Sequence, residues 1–89
     1  MGSLAISSAP LAVGAHCTED ELVITLTDGR TLSTPLVWFP RLAKASPKQR
    51  GNIEILGAGE GIHWPDVDED ISVIGLLEGR ASIEYLAQA

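Results

Sequence analysis

"ELVITLTDGRTLSTPL", Glu21 to Leu36, decides the fold class. Leu22, Ile24 and Leu26 alternate with Val23, Thr25 and Thr27, the period-two pattern of a strand with one face in a core, and β-branched residues dominate. Asp28-Gly29 follows at once, a pair suited to the positive φ angles of a tight primed hairpin turn. The chain then returns as a second strand from Thr31 to Leu36. A hairpin with one apolar face must bury that face against something, so the rest of the chain is read for what covers it.

Upstream, Leu11 to Cys17 is small and apolar and reads as a preceding strand, while residues 1–10 read as a flexible N-terminal segment. Downstream, "WFPRLAKASPKQR" (Trp38–Arg50) carries two helix starts. Pro40 opens a short helix ending near Ala45. Ser46, Pro47 and Gln49 then form a capping box with proline at the first helical position, and Gly51-Asn52 stops that second helix. Asn52 to Leu56 is again extended. The glycines at 57, 59 and 61 do not fit G-x-G-x-x-G, no G-K-[ST] follows, and no helix begins there, so the run reads as a loop between strands rather than a phosphate cradle. Ile62 to Pro65 reads as a further short strand.

"PDVDEDISVIGLLEG", Pro65 to Gly79, admits two readings. Asp66, Asp68 and Asp70 have D-x-D-x-D spacing, but counting from Asp66 the sixth residue is Ile71, not glycine, and the twelfth is Leu77, not glutamate; a calcium hand is excluded. If extended, the three aspartates share a face and with His63 form a ligand- or divalent-metal-binding alternative. The architectural reading accounts for more residues. Pro65-Asp66 turns the chain, the acids and Ser72 or Asp70 cap a short helix over "VIGLL", Ile71 and Ile74 clamp its entry, and Gly79 ends it. The last residues, 80–89, form a C-terminal extension in which Ile83, Leu86 and Ala87 fall on one side of a helix. The expected architecture is α+β: a single domain over residues 11–79, with a small antiparallel sheet of about four to five short strands and two to four short helices.

Composition narrows the functions. The chain has 89 residues and a formal net charge of −6, which disfavours direct nucleic-acid binding, although Arg41, Lys44, Lys48 and Arg50 lie together. Cys17 is the only cysteine, so there is neither a disulfide nor a thiolate metal site, and a buried structural thiol is expected. Residues 1–15 lack the basic start of a signal peptide and are too short and broken for a membrane span, which leaves a cytoplasmic protein as the expectation. No nucleophile with a positioned base is evident, so no catalytic residue, cofactor or metal is assigned and an enzyme is not expected.

"LTDGRTLSTPLVWFPRLAKASPKQRGN" and "ILGAGEGIHWPDVDEDISVIGLLEG" together resemble the bacterial family known as domain of unknown function 2442 (DUF2442), from about Val13 to Gly79. Ile53 departs from the family pattern, standing where an aromatic is common. The resemblance implies a small α+β domain. It also implies a small protein encoded beside a second one in an arrangement like a toxin–antitoxin pair. Some relatives add a helix-turn-helix domain; the ten residues after Gly79 are too few for one. The expectation is therefore an interaction module for a small partner protein, antitoxin-like or regulatory, with homo-oligomerisation through a free strand edge also open. Its candidate contact residues are Trp38, Phe39, Arg41, Leu42, His63 and Trp64, since aromatics and arginine anchor interfaces. Core packing is the competing role for Trp38 and Phe39.

Overall fold

The computed structural model describes residues 9–88. Six strands and four short α-helices follow in the order β1 (Ala12–Cys17), β2 (Glu21–Leu26), β3 (Thr31–Pro35), α1 (Pro40–Ala43), α2 (Pro47–Gly51), β4 (Glu54–Leu56), β5 (Gly61–Trp64), β6 (Glu69–Ser72), α3 (Val73–Leu77) and α4 (Ile83–Gln88), with a 3₁₀ turn over Leu36–Trp38. The fold class is α+β as expected. The single sheet of four to five strands is corrected to two antiparallel sheets of three, ordered β1-β2-β3 and β4-β5-β6. The expected flexible segment lies mostly outside the described residues.

In the first sheet Leu22, Ile24 and Leu26 of β2 are all buried, as their alternation requires. The hairpin turn departs from the primed type. Leu26 N–H donates to the Arg30 carbonyl and Gly29 N–H to the Leu26 carbonyl, which closes a three-residue loop. Only Gly29 takes a positive φ, +91°, the geometry of a three-residue loop ending in a glycine bulge. Asp28 instead uses its carboxylate, accepting from the N–H of Arg30 at 3.0 Å and from its guanidinium at 2.8 Å.

The second sheet holds the missed strand. Glu69, Asp70, Ile71 and Ser72 alternate buried and exposed in β6, and pair with Trp64, His63, Ile62 and Gly61 of β5. The acids are therefore not a helix lead-in. A buried glutamate at the first inward position hid the period-two signal. Ser72 caps α3, its Oγ accepting from the N–H of Gly75 at 3.1 Å. Gly79, at φ +79°, ends the helix with two bonds, its own N–H to the Leu76 carbonyl and Arg80 N–H to the Gly75 carbonyl, which is a Schellman motif. The helix entry differs in one respect. Ile71 and Leu76 are buried, whereas Ile74 is turned to solvent.

One apolar cluster joins the sheets, with Leu22, Ile24 and Leu26 from the first, Ile62, Trp64 and Ile71 from the second, and Leu36, Phe39 and Leu42 closing it from the intervening turn and α1. Two hydrogen bonds to backbone carbonyls help fix how the parts meet. Ala12 N–H donates to the Gly59 carbonyl at 2.9 Å. The Trp64 indole N–H donates to the Arg50 carbonyl at 3.0 Å, which ties β5 to the end of α2. That helix is held by the expected capping box: the N–H of Gln49 to Ser46 Oγ at 3.1 Å, and the N–H of Ser46 to Gln49 Oε1 at 2.9 Å.

Candidate functional site

β1 and β4 are edge strands of their own sheets, and the two edges face each other. Ala12 N–H bonds the Gly59 carbonyl just past β4, and residues 14–17 of β1 and Ile53 and Ile55 line one open hollow. This open wedge has a volume of about 650 Å³, and Pro47, Arg50 and Gly51 of α2 also line it. A volume of this order is typical of binding clefts, about 300–1,000 Å³. Two of its walls are glycine: a Cβ placed at Gly14 or Gly51 meets nothing within 4 Å. Ile55 of β4, one of its lining residues, is exposed, as are Val13 on β1 and Leu56 on β4.

The chemistry inside the wedge is modest. Cys17 is half-buried, and burial pushes its thiol above the ordinary value, partly offset by the Arg50 charge and the Trp64 indole. A thiol held protonated is a poor nucleophile. Arg50 is the unusual group. Arg30 pairs with Asp28, Arg41 with Glu84 and Arg80 with Glu78. Among the described residues Arg50 has no carboxylate within ion-pair distance. Its guanidinium makes only a 3.4 Å bond to the Leu42 carbonyl, although the residue is half-buried.

A second, shallower hollow of about 490 Å³ gathers the two most specific sequence motifs. Arg41, from "WFPRL", donates to the Asp68 carbonyl at 2.8 Å and to Glu84 of α4 at 3.1 Å. Glu69, from "DVDEDIS", lies beside it. Desolvation raises the Glu69 carboxyl above the ordinary range, and Arg41 opposes that shift.

The expected contact residues divide. Phe39, Leu42 and Trp64 belong to the core, at 3 %, 0 % and 0 % exposure, so the expected surface built on them is corrected. All three pack in the apolar cluster against the hairpin face, and covering it outweighs displaying them. Trp38 is half-buried and packs on the same cluster. Arg41 is exposed but engaged, and His63 is half-buried with Nδ1 2.5 Å from Asp70 Oδ1, its cross-strand neighbour. That bond raises the imidazole above its usual value.

The acidic stretch does not converge. Asp66 sits in the turn and accepts from Asn52 at 3.1 Å, Asp68 takes the left-handed φ of +52°, and Asp70 is in β6. Among the described residues no three His, Cys, Asp or Glu side chains are gathered as a metal site. No described helix is long and apolar enough to cross a membrane. Arg50 and Cys17 were visible in the sequence only as a member of a basic run and as a lone thiol; the wedge joining them is tertiary.

Fold and site together define a small two-sheet α+β domain with a hollow of about 650 Å³ lined by strand edges. The chain belongs to the family described as Protein of unknown function (DUF2442), which matches residues 12–82. It is similar to a protein of unknown function from Rhodospirillum rubrum ATCC 11170, known from a crystal structure. The two share 32 % identity at a TM-score of 0.76, over 86 % of this chain and 95 % of that one. It is also similar to an uncharacterized protein of Chromobacterium violaceum solved by solution NMR, at 31 % identity and a TM-score of 0.71, over 88 % of this chain and 74 % of that one. No curated protein matches the chain.

Proposed function

We propose that this domain is a non-catalytic interaction module that holds a partner polypeptide. The observation that carries this reading is the wedge itself, two free strand edges facing each other across an open cleft. Exposed edges are templates for another chain unless they are blunted or covered. β4 has apolar Ile55 and Leu56 exposed and no lysine or proline, so it is poorly protected. The family resemblance gives the proposal its biological form, a regulatory or antitoxin-like member of a cytoplasmic two-protein pair, and the net charge of −6 suits a basic partner surface elsewhere on the domain. The metal-binding alternative receives no comparable support, because His63 is committed to Asp70 and Asp66 to Asn52.

The test is affinity purification of the tagged full chain from its native host at physiological salt, with mass spectrometry of what co-purifies. One stoichiometric small protein, present in repeated preparations and retained through gel filtration, is the expected result. A monomer or homodimer with no second chain would remove the two-protein reading.

A further inference from the structure

Resting on that interaction reading, we propose that the wedge receives an extended peptide segment as an added strand, with a carboxylate of that segment paired to Arg50. Three observations converge on this occupant.

The first is backbone direction. Thr18 N–H donates to the Glu21 carbonyl at 2.8 Å, so by antiparallel alternation His16 and Gly14 face β2, and the N–H and C=O of Ala15 and Cys17 point away from it. Val73 N–H donates to the Glu60 carbonyl, so Gly61 and His63 face β4. Glu54 and Leu56 then bond β5, and the backbone groups of Ile55 point outward. Among the described residues none of these outward groups bonds another part of the fold. β1 thus offers donors and acceptors of two residues in strand spacing, Ala15 and Cys17, and β4 those of one, Ile55. Only another extended polypeptide matches that spacing; a small anion or a nucleic-acid backbone does not.

The second is charge. Arg50 is the one arginine without a carboxylate partner among the described residues; it lines the wedge, and the one carboxylate that also lines it, Glu19, is not within ion-pair distance. An aspartate, glutamate or C-terminal carboxylate there makes a charge-assisted bond that the fold itself leaves unmade. The third is space. Gly14 and Gly51 leave the walls open, and half-buried Ile53 and exposed Ile55 in the lining give apolar side chains of an added strand something to cover.

The experiment is a random-peptide display selection on the full chain, followed by titration of the recovered synthetic peptides into ¹⁵N-labelled protein. Recovered sequences should be β-prone and carry an acidic residue or a free C-terminus, and amide shifts should concentrate on Ala15, Cys17 and Ile55. Replacing the peptide carboxylate by an amide and changing Arg50→Gln should each weaken binding roughly tenfold or more, and together no further, because both remove the same bond. Gly14→Val, which fills open space, should abolish binding while the melting temperature stays near wild type. Ala15→Pro removes one outward N–H and should do likewise if folded. Peptides without an acidic group, shifts clustered elsewhere, or single-stranded nucleic acid captured in their place would overturn the proposal. A co-purified partner that binds Gly14→Val and Arg50→Gln as tightly as wild type overturns the wedge and leaves the interaction reading standing. Absence of both partner and peptides overturns both.

Discussion

Trp64 illustrates how a residue quoted for its exposed chemistry comes to serve the interior. Its ring is fully buried and its indole N–H satisfies the Arg50 carbonyl. Trp64→Phe keeps most of the packing but strands that carbonyl, so it should destabilise by about 1–3 kcal/mol. Trp64→Ala should cost about 3–5 kcal/mol, a large share of a small domain's stability; urea unfolding of both variants checks the order. The two perturbed acid–base groups of the second sheet are both raised in the folded state, so both predict stability falling as pH rises, in different pH windows. His63 is raised by its bond to Asp70. Its stabilisation is therefore full below the ordinary value near 6.5 and is lost as pH rises through the raised folded-state value. The melting temperature of wild type relative to His63→Gln should narrow as the solution is made alkaline. Glu69 is raised by desolvation. Its ionisation therefore weakens the fold once the pH exceeds its ordinary range. Glu69→Gln should melt higher than wild type at neutral pH and equal to it in acid; a lower neutral melting point would mean the Arg41 attraction dominates.

Among elements, the caps of α2 and α3 were largely legible because their chemistry is local, although the sequence left Ser72 and Asp70 as alternatives at α3 and the structure uses Ser72. Ser46, Pro47 and Gln49 fall within one turn, and Ser72 and Gly79 bracket α3. Ser46→Ala should cost about 1 kcal/mol by thermal unfolding. Strands were less legible. β6 was missed because Glu69 occupies an inward position where an apolar residue would have completed the alternation. The junction with β1 depends on Gly59, whose φ of +115° and whose approach to Ala12 exclude a side chain: a Cβ there would lie 2.5 Å from the Ala12 carbonyl oxygen. Gly59→Ala should destabilise by about 1–3 kcal/mol and loosen the Ala12 amide, measurable as faster hydrogen exchange at that one position.

At the scale of the molecule, two three-stranded sheets bury their apolar faces in a single shared cluster, which holds them together. The terminal helix α4 is a lesser contributor. It is joined through the exposed Arg41–Glu84 pair and through Ser82 N–H to the Trp38 carbonyl, while Ile83 and Leu86 face solvent. Ending the chain after Arg80 should therefore change stability by less than about 1 kcal/mol, a shift of a few degrees at most in calorimetry.

What the residues alone determined is what neighbours along the chain decide: the α+β class, the β2–β3 hairpin, the two capped helices, the end of α3 at Gly79 and the exclusion of a calcium hand and a phosphate loop. Each rests on backbone preferences or hydrogen bonds spanning a few residues. Tertiary structure alone decided that the strands divide into two sheets and that Phe39, Leu42 and Trp64 go inward. It also decided that Arg50 is left without a carboxylate beside two open strand edges. Those outcomes depend on which apolar faces meet across some forty residues of chain, and no local pattern specifies where two edges end up facing each other.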